Sequence, residues 1–107
     1  MKLYAIYAGL SGEFGYANFI RLEKFNSDDD ANCYAETCAR EEFDSYPLDC
    51  FGIDEDADDD EIDNEAEGWI DYYAIKITTE EQLIKLGENE GIDSDAICHF
   101  VTETFHK

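Results

Sequence analysis

The residues whose chemistry stands out are the carboxylates of one run, Asp54-Glu55-Asp56-Ala57-Asp58-Asp59-Asp60-Glu61-Ile62-Asp63-Asn64-Glu65-Ala66-Glu67. Ionised carboxylates accept hydrogen bonds, ligate hard cations and attract basic side chains, and a run this dense offers all three. From residue 41 to residue 75 there are 15 carboxylates and no Lys or Arg, so the anionic character is one patch.

Cation ligation gives the sharpest motif test. Asp54, Asp56, Asp58, Asp60 and Glu65 fall at positions 1, 3, 5, 7 and 12 of an EF-hand-sized loop, and those are liganding positions for calcium. Position 6, where that motif turns sharply on Gly, is Asp59, and position 8 is Glu61 rather than apolar. The flanks read as loop and strand instead of paired helices. A calcium-responsive loop is therefore an alternative, and the expectation is that no cofactor or metal is held.

Other metal and nucleophile chemistry is poorly supported. Cys33, Cys38, Cys50 and Cys98 form no CxxC pair, and with His99 and His106 they match no zinc-knuckle spacing. The expectation is reduced, buried free thiols. Nothing brings a His to a Cys, and the composition lacks the electropositive setting that activates a thiol, so no catalytic residue is assigned. Aromatics Tyr46, Phe51, Trp69, Tyr72 and Tyr73 flank the acidic run on both sides, as in many protein-binding patches. Trp69 reads as core, and some of the tyrosines as exposed.

Size and composition set the frame. The 107 residues suit a single domain, residues 1–107, and an aromatic content of 14 % with 44 % hydrophobic residues separates the chain from disordered acidic tails. The net charge of -21 opposes direct binding to DNA, RNA or anionic lipid. Summed along the chain, residues 1–26 carry +1, residues 27–40 carry -3, residues 41–75 carry -15 and residues 76–107 carry -4. A salt-adapted surface would spread its acids, and the near-neutral first quarter argues against that. No apolar run approaches a membrane span, and Met1-Lys2-Leu3 opens no signal peptide, so a cytoplasmic location is expected.

The elements that must position the patch follow from periodicity and caps. Lys2 to Ala8 is apolar on both alternating sets and reads as the central strand. Gly9, Gly12 and Gly15 read as a wide hairpin turn into a second strand over 17–25, rather than a phosphate loop, because no helix follows. Ser27 caps a main helix over residues 28–45, which Pro47 ends. Residues 47–53 read as an irregular connection, and like-charge repulsion along 58–67 leaves the conformation of the acidic run open. Trp69 to Ile77 is the clearest strand. Thr79-Glu80-Glu81-Gln82 is a capping box for a short helix that Gly87 or Gly91 closes, and 94–105 fits a Ser94-capped helix or an edge strand equally. The result is an α+β fold: a small antiparallel sheet of three or four strands packed against one main helix, with the acidic segment as a crossover.

A fold of this length has a radius of gyration of ~13 Å, a diameter of roughly 34 Å, which matches about 20 phosphate charges of duplex. In size, charge and acidic α+β character, and in the opening Tyr7-Ala8-Gly9-Leu10-Ser11-Gly12-Glu13-Phe14-Gly15, the chain resembles the small acidic proteins of phages and mobile elements that block restriction or CRISPR nucleases by imitating DNA. The resemblance implies a non-enzymatic inhibitor acting in the host cytoplasm on a nucleic-acid-binding protein with a basic cleft. The expected contacts are Asp54, Glu55, Asp56, Asp58, Asp59, Asp60, Glu61, Asp63, Glu65, Glu67 and Tyr72. The alternative is a calcium-responsive or structural interaction module built on the same loop, and an acidic adaptor that does not compete with nucleic acid is a third reading.

Overall fold

A computed structural model describes residues 1–106 of the chain. Its centre is strand β1 (Lys2–Leu10), flanked by β2 (Tyr16–Phe25) and β3 (Ile70–Lys76) in one antiparallel sheet of order β2-β1-β3. The continuous apolar sequence of β1 has this cause: Leu3, Tyr4, Ala5, Ile6, Ala8 and Leu10 are all buried, because both faces of the strand are covered along most of its length.

The glycines of the first turn play distinct parts. Gly12 and Gly15 take positive φ around a short 3-10 turn at Gly12–Phe14, as the hairpin reading requires. Gly9 instead lies within β1, where a Cβ would stand 2.4 Å from the Tyr16 carbonyl oxygen.

Helix α1 (Asp28–Asp44) starts at Ser27, whose hydroxyl accepts from the Asp30 amide at 3.2 Å, and lays Ala31, Ala35, Ala39 and Phe43 on the sheet. Small residues every four positions let the helix axis come close to β1 and β3. After Pro47 the connection forms a 3-10 turn at Leu48–Phe51 rather than an irregular loop.

The acidic run then becomes helix α2 (Asp59–Trp69), settling the conformation that charge repulsion had left open. Two effects outweigh that repulsion. Asp58 caps the helix by accepting from the Glu61 amide at 2.9 Å, and Asp59, Asp60 and Glu61 meet the positive end of its dipole. Ile62, Ala66 and Trp69 supply an apolar stripe. Trp69 is thus the last helical residue and not the first of the strand.

Helix α3 (Glu80–Glu90) opens at Thr79 and ends at Gly91, passing through Gly87. Gly87 serves close packing, since a Cβ there would lie 2.7 Å from the Ile97 side chain. Residues 94–105 form helix α4 (Ser94–Phe105), capped by Asp93 rather than Ser94.

The layers are offset, and this fixes the shape. Even-numbered residues of β1 face α1 and α2, where Leu10, Phe43, Phe51 and Ala66 share one cluster. Odd-numbered residues face α3 and α4, around Leu3, Ala5, Ile77, Leu83 and Ile97. Because α2 lies at the Leu10 end of one face and α3 starts from the Lys76 end onto the other, the molecule extends over 54 × 26 × 16 Å with a radius of gyration of 16.4 Å. That corrects the expected ~13 Å, which holds for a near-spherical domain. No helix among the described residues is long and apolar enough to cross a membrane.

Candidate acidic binding surface

The acidic surface stands on an aromatic platform. Phe43 stacks on Phe51 at 4.4 Å, Phe51 meets Trp69 at 5.1 Å, and Phe14 from the first hairpin touches Tyr46, Phe51 and Trp69. Ser11 also donates its amide to the Trp69 carbonyl at 2.7 Å, tying the hairpin to the end of α2. Phe51 and Trp69 therefore serve the core, while Tyr46 and Tyr73 are exposed.

The structure places Asp54, Glu55 and Asp56 on the loop before α2, Asp58 at its cap, and Asp59, Asp60, Glu61, Asp63, Glu65 and Glu67 along the helix. All ten are exposed. Gly52, Ile53, Asp54, Glu61, Asn64 and Glu65 line an open notch of about 430 Å³ between the loop and the helix. Tyr72 does not join this run. It lies half-buried on β3 beneath α1, donating its hydroxyl to Glu36 at 2.9 Å, and that bond, with burial and Glu36's charge, raises its pKa.

One basic residue governs the junction, and sequence reading missed it. Arg40 on α1 donates to Asp44 at 3.1 Å and to Asp63 of α2 at 2.8 Å. Partial burial alone lowers its pKa, but the bonds it donates to Asp63 and Asp44, with their charges, outweigh this and raise it. The only signal for this clamp was the position of Arg40 as the last cation before 35 residues without one.

The calcium pattern is not assembled. Asp58 is occupied by the Glu61 amide, and Asp60 and Glu65 are five residues apart on one helix and project differently. Among the described residues no group of three or more His, Cys, Asp or Glu side chains is arranged to hold a metal ion. The thiols are separate as well. Cys33, Cys50 and Cys98 are exposed and Cys38 is half-buried, which corrects the expectation of buried thiols: on α1 the alanines, with Ala39 one position past Cys38, take the buried stripe.

A second carboxylate site is bound into the fold rather than offered outward. The Tyr4 hydroxyl donates to Asp28, whose pKa is lowered chiefly by that bond, with Lys76 nearby. The same bond and burial push the Tyr4 phenol up to about 12. Asp28 is thus a structural anion, unlike those of α2.

No family model, curated protein or solved structure matches the chain.

Proposed function

We propose that the protein is a non-enzymatic inhibitor that carries nucleic-acid-like charge into the basic cleft of a DNA- or RNA-acting defence protein, a restriction or CRISPR nuclease, in the cytoplasm. The observation that supports it is the exposure of all ten carboxylates from Asp54 to Glu67 on one loop and helix, of which Asp63 alone is tied to Arg40. Anions that the fold needs are capped or paired, as Asp28 and Asp58 are. Among the described residues Glu55, Asp56, Glu65 and Glu67 form no ion pair or side-chain hydrogen bond, which leaves them to meet a basic partner.

Length changes the electrostatic comparison. A duplex 54 Å long carries about 32 phosphate charges at one per ~1.7 Å, more than the net charge of -21. The likeness to duplex is therefore local, in the segment that holds 15 carboxylates, and one end of the molecule enters the cleft. Attraction of this kind acts through Coulomb steering and counterion release, so added salt weakens it.

The structure also improves the obvious charge-reversal test. Converting Asp58, Asp59, Asp60 and Glu61 to Lys abolishes binding on this reading, but it also removes the cap and the dipole partners of α2. Asp56→Lys, Glu65→Lys and Glu67→Lys together keep the cap and the Arg40 clamp. In a binding assay against the captured nuclease, the triple variant loses affinity by more than tenfold while its circular dichroism stays unchanged. Undiminished affinity would sink the reading.

A further inference from the structure

We infer that β3 is a dimerisation edge, along which a second copy of this chain pairs antiparallel to make a six-stranded sheet. The inference goes beyond the inhibitor reading and does not depend on it. The two edges of the sheet are unlike. β2 presents Arg21 and Glu23 and is paired to β1 through a bulge between Ile6 and Tyr7, features that discourage edge pairing. β3 is regular over its seven residues, contains no proline, and among the described residues pairs only with β1.

Both charges of β3 are turned back into their own protomer. Asp71 reaches across side-chain-free Gly9 to accept from the Ala17 amide at 2.8 Å, and Lys76 lies 3.7 Å from Asp28. In a chain of net charge -21 this strand sums to zero, so it is a line along which two copies can approach. Exposed on it are Tyr73 and Ile75, at 42 % and 40 % relative accessibility, spaced two apart on one face.

The hydrogen-bond phase selects a register. Ile77 donates to the Leu3 carbonyl and Ser11 to that of Trp69, so odd-numbered residues of β3 bond to β1 and the even-numbered Tyr72, Ala74 and Lys76 point their amides outward. A two-fold axis at Ala74 pairs Ala74 with its own copy and Tyr72 with the partner's Lys76 through those outward groups. It also sets Tyr73 against the partner's Ile75 at the non-hydrogen-bonded positions, where side chains come closest and aromatic with β-branched pairs are favoured. Each exposed apolar side chain thus covers the other, as an isologous contact requires. Glu36, bonded to Tyr72, and Glu67, whose charge also reaches Tyr72, add repulsion across the seam, and salt screens them.

The test is sedimentation of the full chain at low and high salt, with hydrogen exchange on the same samples. The expected result is a species of twice the 12.2 kDa chain mass at a concentration on the order of 100 µM in about 0.5 M salt, weakening as salt falls. The amides of Tyr72, Ala74 and Lys76 become protected as concentration rises. Ala74→Pro removes only an outward amide, which an edge strand tolerates, and Ile75→Lys sets a charge in the seam; each gives a folded monomer. A chain that stays monomeric throughout overturns the inference, as does a dimer that survives both substitutions. Loss of partner capture by monomeric Ala74→Pro, from a parent that is itself monomeric, would assign the edge to the partner instead. Binding of the nuclease is measured separately, so failure of one reading leaves the other standing.

Discussion

Two helices lie toward the same face of the sheet and open with the same chemistry, Ser27 before Asp28, Asp29 and Asp30 in α1, and Asp58 before Asp59, Asp60 and Glu61 in α2. Beyond the first turn they diverge. Helix α1 buries four residues against the sheet, and Asp28 is bonded by Tyr4. Helix α2 fully buries only Ala66 and is held at its flanks by Ile62, Trp69 and the Arg40 clamp. Acidic residues at a helix start are thus explained by capping in both, but the later carboxylates Glu65 and Glu67 of α2 have no structural partner among the described residues. A segment that keeps so much charge on so slight an anchorage is the part to which the proposed partner contact is assigned.

The contrast can be broken most severely where the two helices share a support. Phe43→Ala leaves a void beneath Phe51 and costs about 3–5 kcal/mol in urea unfolding, enough to threaten the whole fold. Removing the caps tests the difference in anchorage. Ser27→Ala and Asp58→Ala each cost about 1 kcal/mol of helix stability. The first shows in the global urea midpoint, and the second chiefly as faster amide exchange within 59–69, because α2 can fray while the sheet and α1 persist. Arg40→Met removes both the clamp and the guanidinium that lies 5.5 Å over the Phe43 ring; for contacts of this exposure the loss is about 1 kcal/mol, again seen as local exchange in α2.

The smallest effect is the pH dependence of the Tyr4 and Asp28 pair. Tyr4 titrates higher in the folded chain, so its contribution is complete below pH 10 and is lost as pH rises toward about 12. Asp28 is depressed, so its contribution is present above the ordinary carboxylate range and disappears as pH falls through its lowered value. Tyr4→Phe flattens both limbs of the melting temperature against pH, and α2 substitutions leave that difference unchanged.

The sequence announced what local chemistry controls. The central strand, the glycine turn, the Ser27 and Thr79 caps and the stop at Pro47 are short-range signals, and the α+β class with an antiparallel sheet of three or four strands follows from them; the structure has three. The acidic run was visible as charge but not as helix: its Asp58 cap is local, but the surface that Ile62 and Trp69 cover is remote, made by Phe14, Phe43 and Phe51. Segment 94–105 has apolar residues that suit either period, and only the close approach at Gly87, with Ile97 fitted against it, decides for a helix. The elongated shape was illegible for the same reason. Which end of the sheet each helix covers depends on contacts between elements far apart in the chain.

The most direct measurement is capture from a nuclease-treated host lysate by the tagged protein, with bound proteins eluted first by duplex DNA or RNA and then by salt. The expected result is that one DNA- or RNA-acting enzyme is retained, is displaced by duplex, and is not retained by the Asp56→Lys, Glu65→Lys, Glu67→Lys variant. An enzyme that duplex fails to displace, or one that the variant retains equally, would contradict it.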